Sequence, residues 1–144
     1  MSAAQSHTQV AIVGGGPVGL SLALFLDLQG VRSVVFNSEP TTRWHPKGST
    51  ESARTMEHFR RLGLAGKIRH LGLPGDHPAD VAYFTRFGGA EMARIRMPSA
   101  AEVRRLVAAA PNVDQVPEPI HRANQMYVER LLFEHAGSRP NIEM

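Results

Sequence analysis

Three glycines, Gly14, Gly16 and Gly19, sit in the stretch Val10-Ala11-Ile12-Val13-Gly14-Gly15-Gly16-Pro17-Val18-Gly19-Leu20. They are the residues of this 144-residue chain whose type and spacing point most directly to chemistry. A backbone that must turn sharply off a strand, approach a pyrophosphate and then pack a helix on that strand needs glycine at three points in this order. The free N–H groups of the first helical turn would face the phosphate charge. Pro17 suits that turn, because its missing N–H is not needed at the first helical position. The same spacing occurs in plain loops. A strand-like run before it and an apolar helical run after it favour the dinucleotide reading.

In such a unit a carboxylate at the end of the second strand, about 20 residues beyond the glycines, takes the ribose hydroxyls. Here the strand ends on Asn37, with Glu39 two residues further on. Either side chain is within reach of a ribose, Asn37 as a neutral amide and Glu39 as the charge if the strand end curls back. The alternative is a turn-forming Asn followed by a solvated Glu.

The elements that must position these residues follow from periodicity and punctuation. A strand over 9–13 feeds the glycine turn. A helix over 17–29, apolar on nearly every side, stops at Gly30, and a second short strand covers 32–37. Strand, helix and strand within about 30 residues make one βαβ unit with a parallel pair. A polar loop (38–48) leads to a helix over 50–62, capped by Ser49 or Thr50 and stopped by Gly63, with Ala53, Met56 and Phe59 inward and a solvated row of Arg54, Glu57 and Arg61. Residues 80–97 read as a hairpin about a two-residue Gly88-Gly89 loop, which sets Phe84 opposite Ala93, Ala82 opposite Ile95 and Arg86 opposite Glu91. A capping box, Ser99 to Glu102, opens a helix to about residue 110 with Val103, Leu106, Val107 and Ala110 on one side. A proline-punctuated loop (111–119) precedes a final helix over 124–136 stopped by Gly137, and 141–144 resemble the start of a third parallel strand. The fold class is α/β: a Rossmann-like βαβ unit with parallel strands, carrying an inserted antiparallel hairpin, and an incomplete domain.

Composition narrows the function. The formal charge of +3 comes from 16 Lys+Arg against 13 Asp+Glu, scattered rather than striped, which does not match a nucleic-acid footprint and suits an anionic cofactor. The absence of cysteine excludes disulfides, thiolate metal sites and a cysteine nucleophile, and points to the cytoplasm. Residues 1–8 lack the pattern of a signal peptide, and no apolar run is long enough to span a bilayer. The seven histidines include no pair at metal-ligand spacing on one helix, so no metal site is expected.

Downstream of the second strand the chain reads His45-Pro46-Lys47-Gly48-Ser49-Thr50-Glu51-Ser52-Ala53-Arg54-Thr55-Met56-Glu57, then Arg60-Arg61-Leu62-Gly63-Leu64. With the glycine motif, the Tyr83-Phe84-Thr85-Arg86 stretch and Gln125-Met126-Tyr127-Val128-Glu129-Arg130-Leu131-Leu132, this resembles the class A FAD-dependent aromatic (phenol-type) monooxygenases over nearly the whole chain. The resemblance implies that Gly14, Gly16, Pro17, Val18 and Gly19 line the FAD pyrophosphate and that Asn37 stands where the family usually has a ribose-binding Glu. It also implies that Lys47 is the basic residue beside the cofactor and Gln125 a glutamine near the flavin. Asn37 departs from the usual acid, and Lys47 from the arginine whose planar fork binds bidentately.

By the same resemblance the chain is the N-terminal FAD-binding portion of an enzyme using NAD(P)H and O2 to hydroxylate a small phenolic substrate. Residues 72–118 would be an insertion resembling a substrate-domain hairpin and linker. The flavin would carry the oxygen chemistry, so no catalytic side chain is assigned. Residues 1–144 alone are expected to be inactive, because a ribityl-binding Gly-Asp motif and a substrate domain are expected further along. The alternatives are a non-catalytic dinucleotide-binding module and a truncated inactive fragment.

Overall fold

The computed structural model describes residues 7–42, 44–45, 47–110 and 118–144, so most of the proline-punctuated loop lies outside the described residues. The chain divides into two compact units, one made of Met1–Gly48 with Gln125–Met144 and the other of Ser49–Asn124.

The first unit is built on strands β1 (Val10–Val13) and β2 (Ser33–Phe36), joined through helix α1 (Pro17–Leu28). The two strands are parallel, with Val10 level with Ser33 and Val13 level with Phe36. Helix α5 (Gln125–Gly137) returns the chain to the same unit, and the short strand β5 (Ile142–Glu143) pairs in parallel with the other edge of β2. The third strand expected from 141–144 therefore forms, in the order β1-β2-β5. Leu20, Ala23 and Leu24 of α1, Val128, Leu132 and Ala136 of α5, and Ile12, Val35 and Ile142 from the strands are buried. The all-round apolar character of α1 is covered on one side; Val18, Leu22 and Leu28 are exposed.

A buried charge cluster ties the end of α1 to the approach to β5. Asp27 accepts a 2.6 Å hydrogen bond from Arg139 Nε on Oδ2 and a 3.0 Å bond from Asn141 Nδ2 on Oδ1. Burial pushes the Asp27 carboxyl up, but the hydrogen bonds from Arg139 and Asn141 and the Arg139 charge outweigh it, and its pKa lies below the usual carboxylate value. An acid depressed in the folded state contributes stability that is present above its unfolded pKa of about 3.9 and is lost as the pH falls through the folded value. Asp27→Asn is expected to cost about 2 kcal/mol at pH 7, less than the about 3–5 kcal/mol of a fully buried broken pair because Arg139 is partly solvated. Thermal melts at neutral pH check this. The gap between variant and parent should begin to shrink below about pH 4 and close as the pH falls through the depressed folded pKa of Asp27, where the parent side chain becomes neutral as well.

In the second unit, helix α2 (Ala53–Arg61) is capped by Ser52, whose hydroxyl accepts from the Thr55 N–H, so the helix opens later than Ser49 or Thr50 would have set it. Met56 and Phe59 face inward as expected, and Arg54 pairs with Glu57 at 2.6 Å on the outer row. A short helix α3 (Ala65–Arg69) follows Gly63, an element the sequence pattern did not reveal; Leu64 and Ile68 join Met56 and Phe59 in the core. The His121 ring, also buried, bonds through Nε2 to the Ile68 carbonyl at 3.1 Å. Burial and the Arg69 charge lower its pKa, which fits a neutral ring whose Nε2–H donates to that carbonyl. Among the described residues no group of His, Asp or Glu is arranged to hold a metal ion.

The hairpin forms from β3 (Val81–Phe84) and β4 (Glu91–Ile95), but not in the expected register. Tyr83, not Phe84, faces Ala93; Phe84 faces Glu91, and Ala82 faces Arg94. The loop is longer than two residues. Gly89 N–H donates to the Arg86 carbonyl and Gly88 takes φ 70°, the left-handed conformation that the third residue of a type II turn requires. Glu91 consequently pairs with Arg94 at 2.6 Å instead of Arg86, and Arg94 also reaches Asp80 at 3.1 Å. Helix α4 (Ala100–Ala109) carries the full Ser99–Glu102 capping box, although Leu106 on its expected apolar side is exposed.

Candidate functional site

The glycine turn leaves β1 where Gly14 adopts φ 113°, a conformation costly for any residue with a Cβ, while its N–H donates to the Phe36 carbonyl at 2.7 Å. The strand therefore stays paired up to the point where the backbone swings away. Gly16 is the N-cap of α1 and Pro17 its first residue; no side chain caps this end, so the first-turn N–H groups are left to an external acceptor. A groove of about 550 Å3 runs along β1 and the turn, lined by Gly14, Gly16, Pro17, Val18 and Gly19. Val13 is 90% exposed and Val18 84% exposed at its mouth.

Gly16 and Gly19 differ in what surrounds them. A Cβ on Gly16 would meet nothing within 4 Å, so the space over it is open to a ligand. A Cβ on Gly19 would overlap the Gly14 carbonyl oxygen and press on Ile12 Cγ2 at 3.3 Å, so that glycine serves the packing of helix on strand. Gly15, which the three-glycine motif leaves unassigned, is confined too: its Cβ would lie 3.0 Å from Cβ and Cγ of Asn37. The uninterrupted Gly14-Gly15-Gly16 run was the signal for that contact.

Asn37 braces the turn. Its Oδ1 accepts from the Gly15 N–H at 3.1 Å, and its Nδ2 donates to the Glu39 carbonyl at 2.9 Å. Glu39 is exposed, and a recess of about 240 Å3 beside it is lined by Gly15, Asn37, Glu39 and Pro40 with Phe133 and Met144. The structure thus brings the glycine turn, Asn37 and Glu39 together. Lys47 and Gln125 form a separate pair of neighbours. The Gln125 N–H donates to the Gly48 carbonyl at 3.0 Å, its side-chain amide bonds to buried Glu129 at 3.3 Å, and Lys47 is exposed beside it.

An open backbone cradle, an uncapped helix N-terminus and a polar strand end fit the phosphates and ribose of a dinucleotide. Comparison with known proteins agrees. A family profile described as "FAD binding domain" matches residues 7–144. The FAD-dependent monooxygenase apdD of Emericella nidulans is 33% identical over 135 residues, 93% of this chain and 22% of that protein. The 2,4-dichlorophenol 6-monooxygenase of Cupriavidus pinatubonensis is 32% identical over 131 residues, 91% of this chain and 21% of that protein. Among solved structures, RebC soaked with K252c superposes with a TM-score of 0.79 at 38% identity, covering 99% of this chain and 26% of that one. The flavin-dependent monooxygenase PieE, in complex with FAD and substrate, gives 0.77 at 30% identity, covering 98% and 24%. The chain spans about a quarter of the length of these relatives.

Proposed function

Since the chain belongs to the FAD-binding domain family of flavin-dependent monooxygenases, we propose that it holds FAD for the NAD(P)H- and O2-dependent hydroxylation of a small phenolic or related aromatic substrate. The observation that carries this reading is the open space over Gly16 at an uncapped helix N-terminus. When bound, the flavin supplies the redox and oxygen chemistry. This chain's own residues bind and orient it. The first-turn N–H groups of Val18 and Gly19 receive the pyrophosphate charge, and Gly14 and Gly19 hold the turn against the strand. Asn37 fixes the Gly15 peptide, which leaves the exposed Glu39 carboxylate to take the ribose hydroxyls. Lys47 adds positive charge near the cofactor, and Gln125 lies close to the flavin. Residues 72–118 are proposed as an insertion carrying a substrate-domain hairpin, and the cytoplasm is proposed as the compartment. Among the described residues no helix is long and apolar enough to cross a membrane.

The relatives named after chlorinated phenols support the phenolic class. The test is substrate-stimulated NAD(P)H oxidation by the flavin-loaded full-length protein against a panel of phenols, with the hydroxylated product quantified. Flavin-loaded protein that oxidises NAD(P)H without hydroxylating any aromatic compound would point instead to a non-catalytic or otherwise redox-active module. Residues 1–144 alone are expected to give no turnover.

Lys47 offers a milder test. An ammonium contributes a point charge without the paired hydrogen bonds of a guanidinium. Lys47→Ala is expected to weaken FAD binding about three- to tenfold and Lys47→Arg to restore or improve it, as read by flavin fluorescence titration. Unchanged affinity in both variants would make Lys47 a solvated loop residue.

A further inference from the structure

The unit Ser49–Asn124 gathers charge that the dinucleotide reading does not use. Arg60 from α2, Arg69 from α3 and Arg104 from α4 converge on one carboxylate, Glu118. Arg69 Nη2 donates to Glu118 Oε2 at 2.8 Å and to the Pro119 carbonyl at 2.7 Å, while its Nε and Nη1 are buried without a hydrogen-bond partner among the described residues. Arg104 and Arg60 reach the Glu118 oxygens only at 3.9 and 4.0 Å, too long for hydrogen bonds. Their side chains are 56% and 61% exposed, against 12% for Arg69 and Glu118. The four groups line a recess of about 330 Å3 floored at Gly63 and Gly66, where an added Cβ would meet nothing within 4 Å.

Among the described residues, three guanidiniums against one carboxylate leave two positive charges uncompensated around an open, glycine-floored recess. Among the described residues, Arg60 and Arg104 retain donors aimed at no protein oxygen at hydrogen-bonding distance. Planar, multidentate donors of this kind match phosphate geometry. The same positive charge acts on the neighbouring His121, whose lowered pKa owes part of its shift to Arg69 and Arg104.

We propose that Arg60, Arg69 and Arg104 form a second anion site, selective for a phosphate-bearing ligand, in which Glu118 is a resident counter-ion competing for the same donors. The site is separate from the glycine turn, which lies in the other unit, so it stands or falls independently of FAD binding.

The experiment is calorimetric titration of inorganic pyrophosphate, and separately of NADPH, into the FAD-loaded full-length protein at constant ionic strength, with sodium chloride as the control. Loading with FAD keeps the glycine turn filled. Arg60→Ala/Arg104→Ala, two exposed positions whose loss leaves the core intact, is expected to weaken pyrophosphate binding about tenfold. Glu118→Gln, which keeps the side-chain shape and removes the competing charge, is expected to strengthen it by a similar factor. Tighter binding of NADPH than of pyrophosphate, lost in the same double variant, assigns the site to a dinucleotide; equal affinities assign it to free phosphate. Binding that is the same in parent, double variant and Glu118→Gln, or absent from all three up to about 10 mM, overturns the proposal.

Discussion

Gly16→Val is expected to yield a folded, soluble protein that carries no flavin. The fold should survive because Gly16 sits at φ −81° and ψ −175°, extended backbone open to any L-residue, and a Cβ there meets nothing within 4 Å. The cofactor should not, because the two valine methyls occupy the space through which the pyrophosphate must approach the first turn of α1. The expected loss in FAD affinity is at least about 100-fold, equivalent to about 2.7 kcal/mol. Flavin absorbance of the purified variant, set beside its circular dichroism and melting temperature, reads both halves of the prediction. Stoichiometric FAD in a folded Gly16→Val protein would remove the glycine turn from the binding site.

Gly19→Ala should do the opposite damage with a smaller side chain. Its single methyl would overlap the Gly14 carbonyl oxygen, a backbone atom in a turn already held at φ 113° and tied to β2 through the Gly14–Phe36 hydrogen bond. Neither atom can retreat without separating α1 from β1. The cost is expected at or above the upper end of the about 1–3 kcal/mol typical of overpacking, a large part of an ordinary domain's stability. The variant should melt well below Gly16→Val and lose flavin because it loses the fold. A Gly19→Ala protein as stable as the parent would mean that the helix does not pack on the strand this closely.

These two glycines show what the sequence could and could not reveal. Their positions were legible because close approach, of a phosphate at Gly16 and of the Gly14 carbonyl at Gly19, admits one residue type, and the helix ends were legible where Ser99 and Glu102 or Gly63 carry a cap in their own side chain or lack of one. The hairpin register was not. Register follows from which glycine takes the left-handed position: with the turn on Arg86–Gly89 and Gly88 third, the pairing next to the turn moves by two residues, and an irregularity between Tyr83 and Phe84 returns the rest of the hairpin to a shift of one. The choice between Asn37 and Glu39 was open in sequence, since both lie near the strand end; the hydrogen bond from the Gly15 N–H to Asn37, which supports the proposal that Glu39 takes the ribose, could not be read there. The arginines around Glu118 are scattered between positions 60 and 104 on three helices, and only the folded unit brings them to one carboxylate.

Whether the FAD pyrophosphate lies against the first turn of α1 is decided by the crystal structure of the FAD-loaded protein. Phosphate oxygens are expected within hydrogen-bond distance of the Val18 and Gly19 N–H groups, ribose hydroxyls on the Glu39 carboxylate, and the Asn37–Gly15 hydrogen bond still in place. FAD seated away from the Gly14–Gly19 turn, or its pyrophosphate held by side chains with the first-turn N–H groups facing solvent, would contradict that placement.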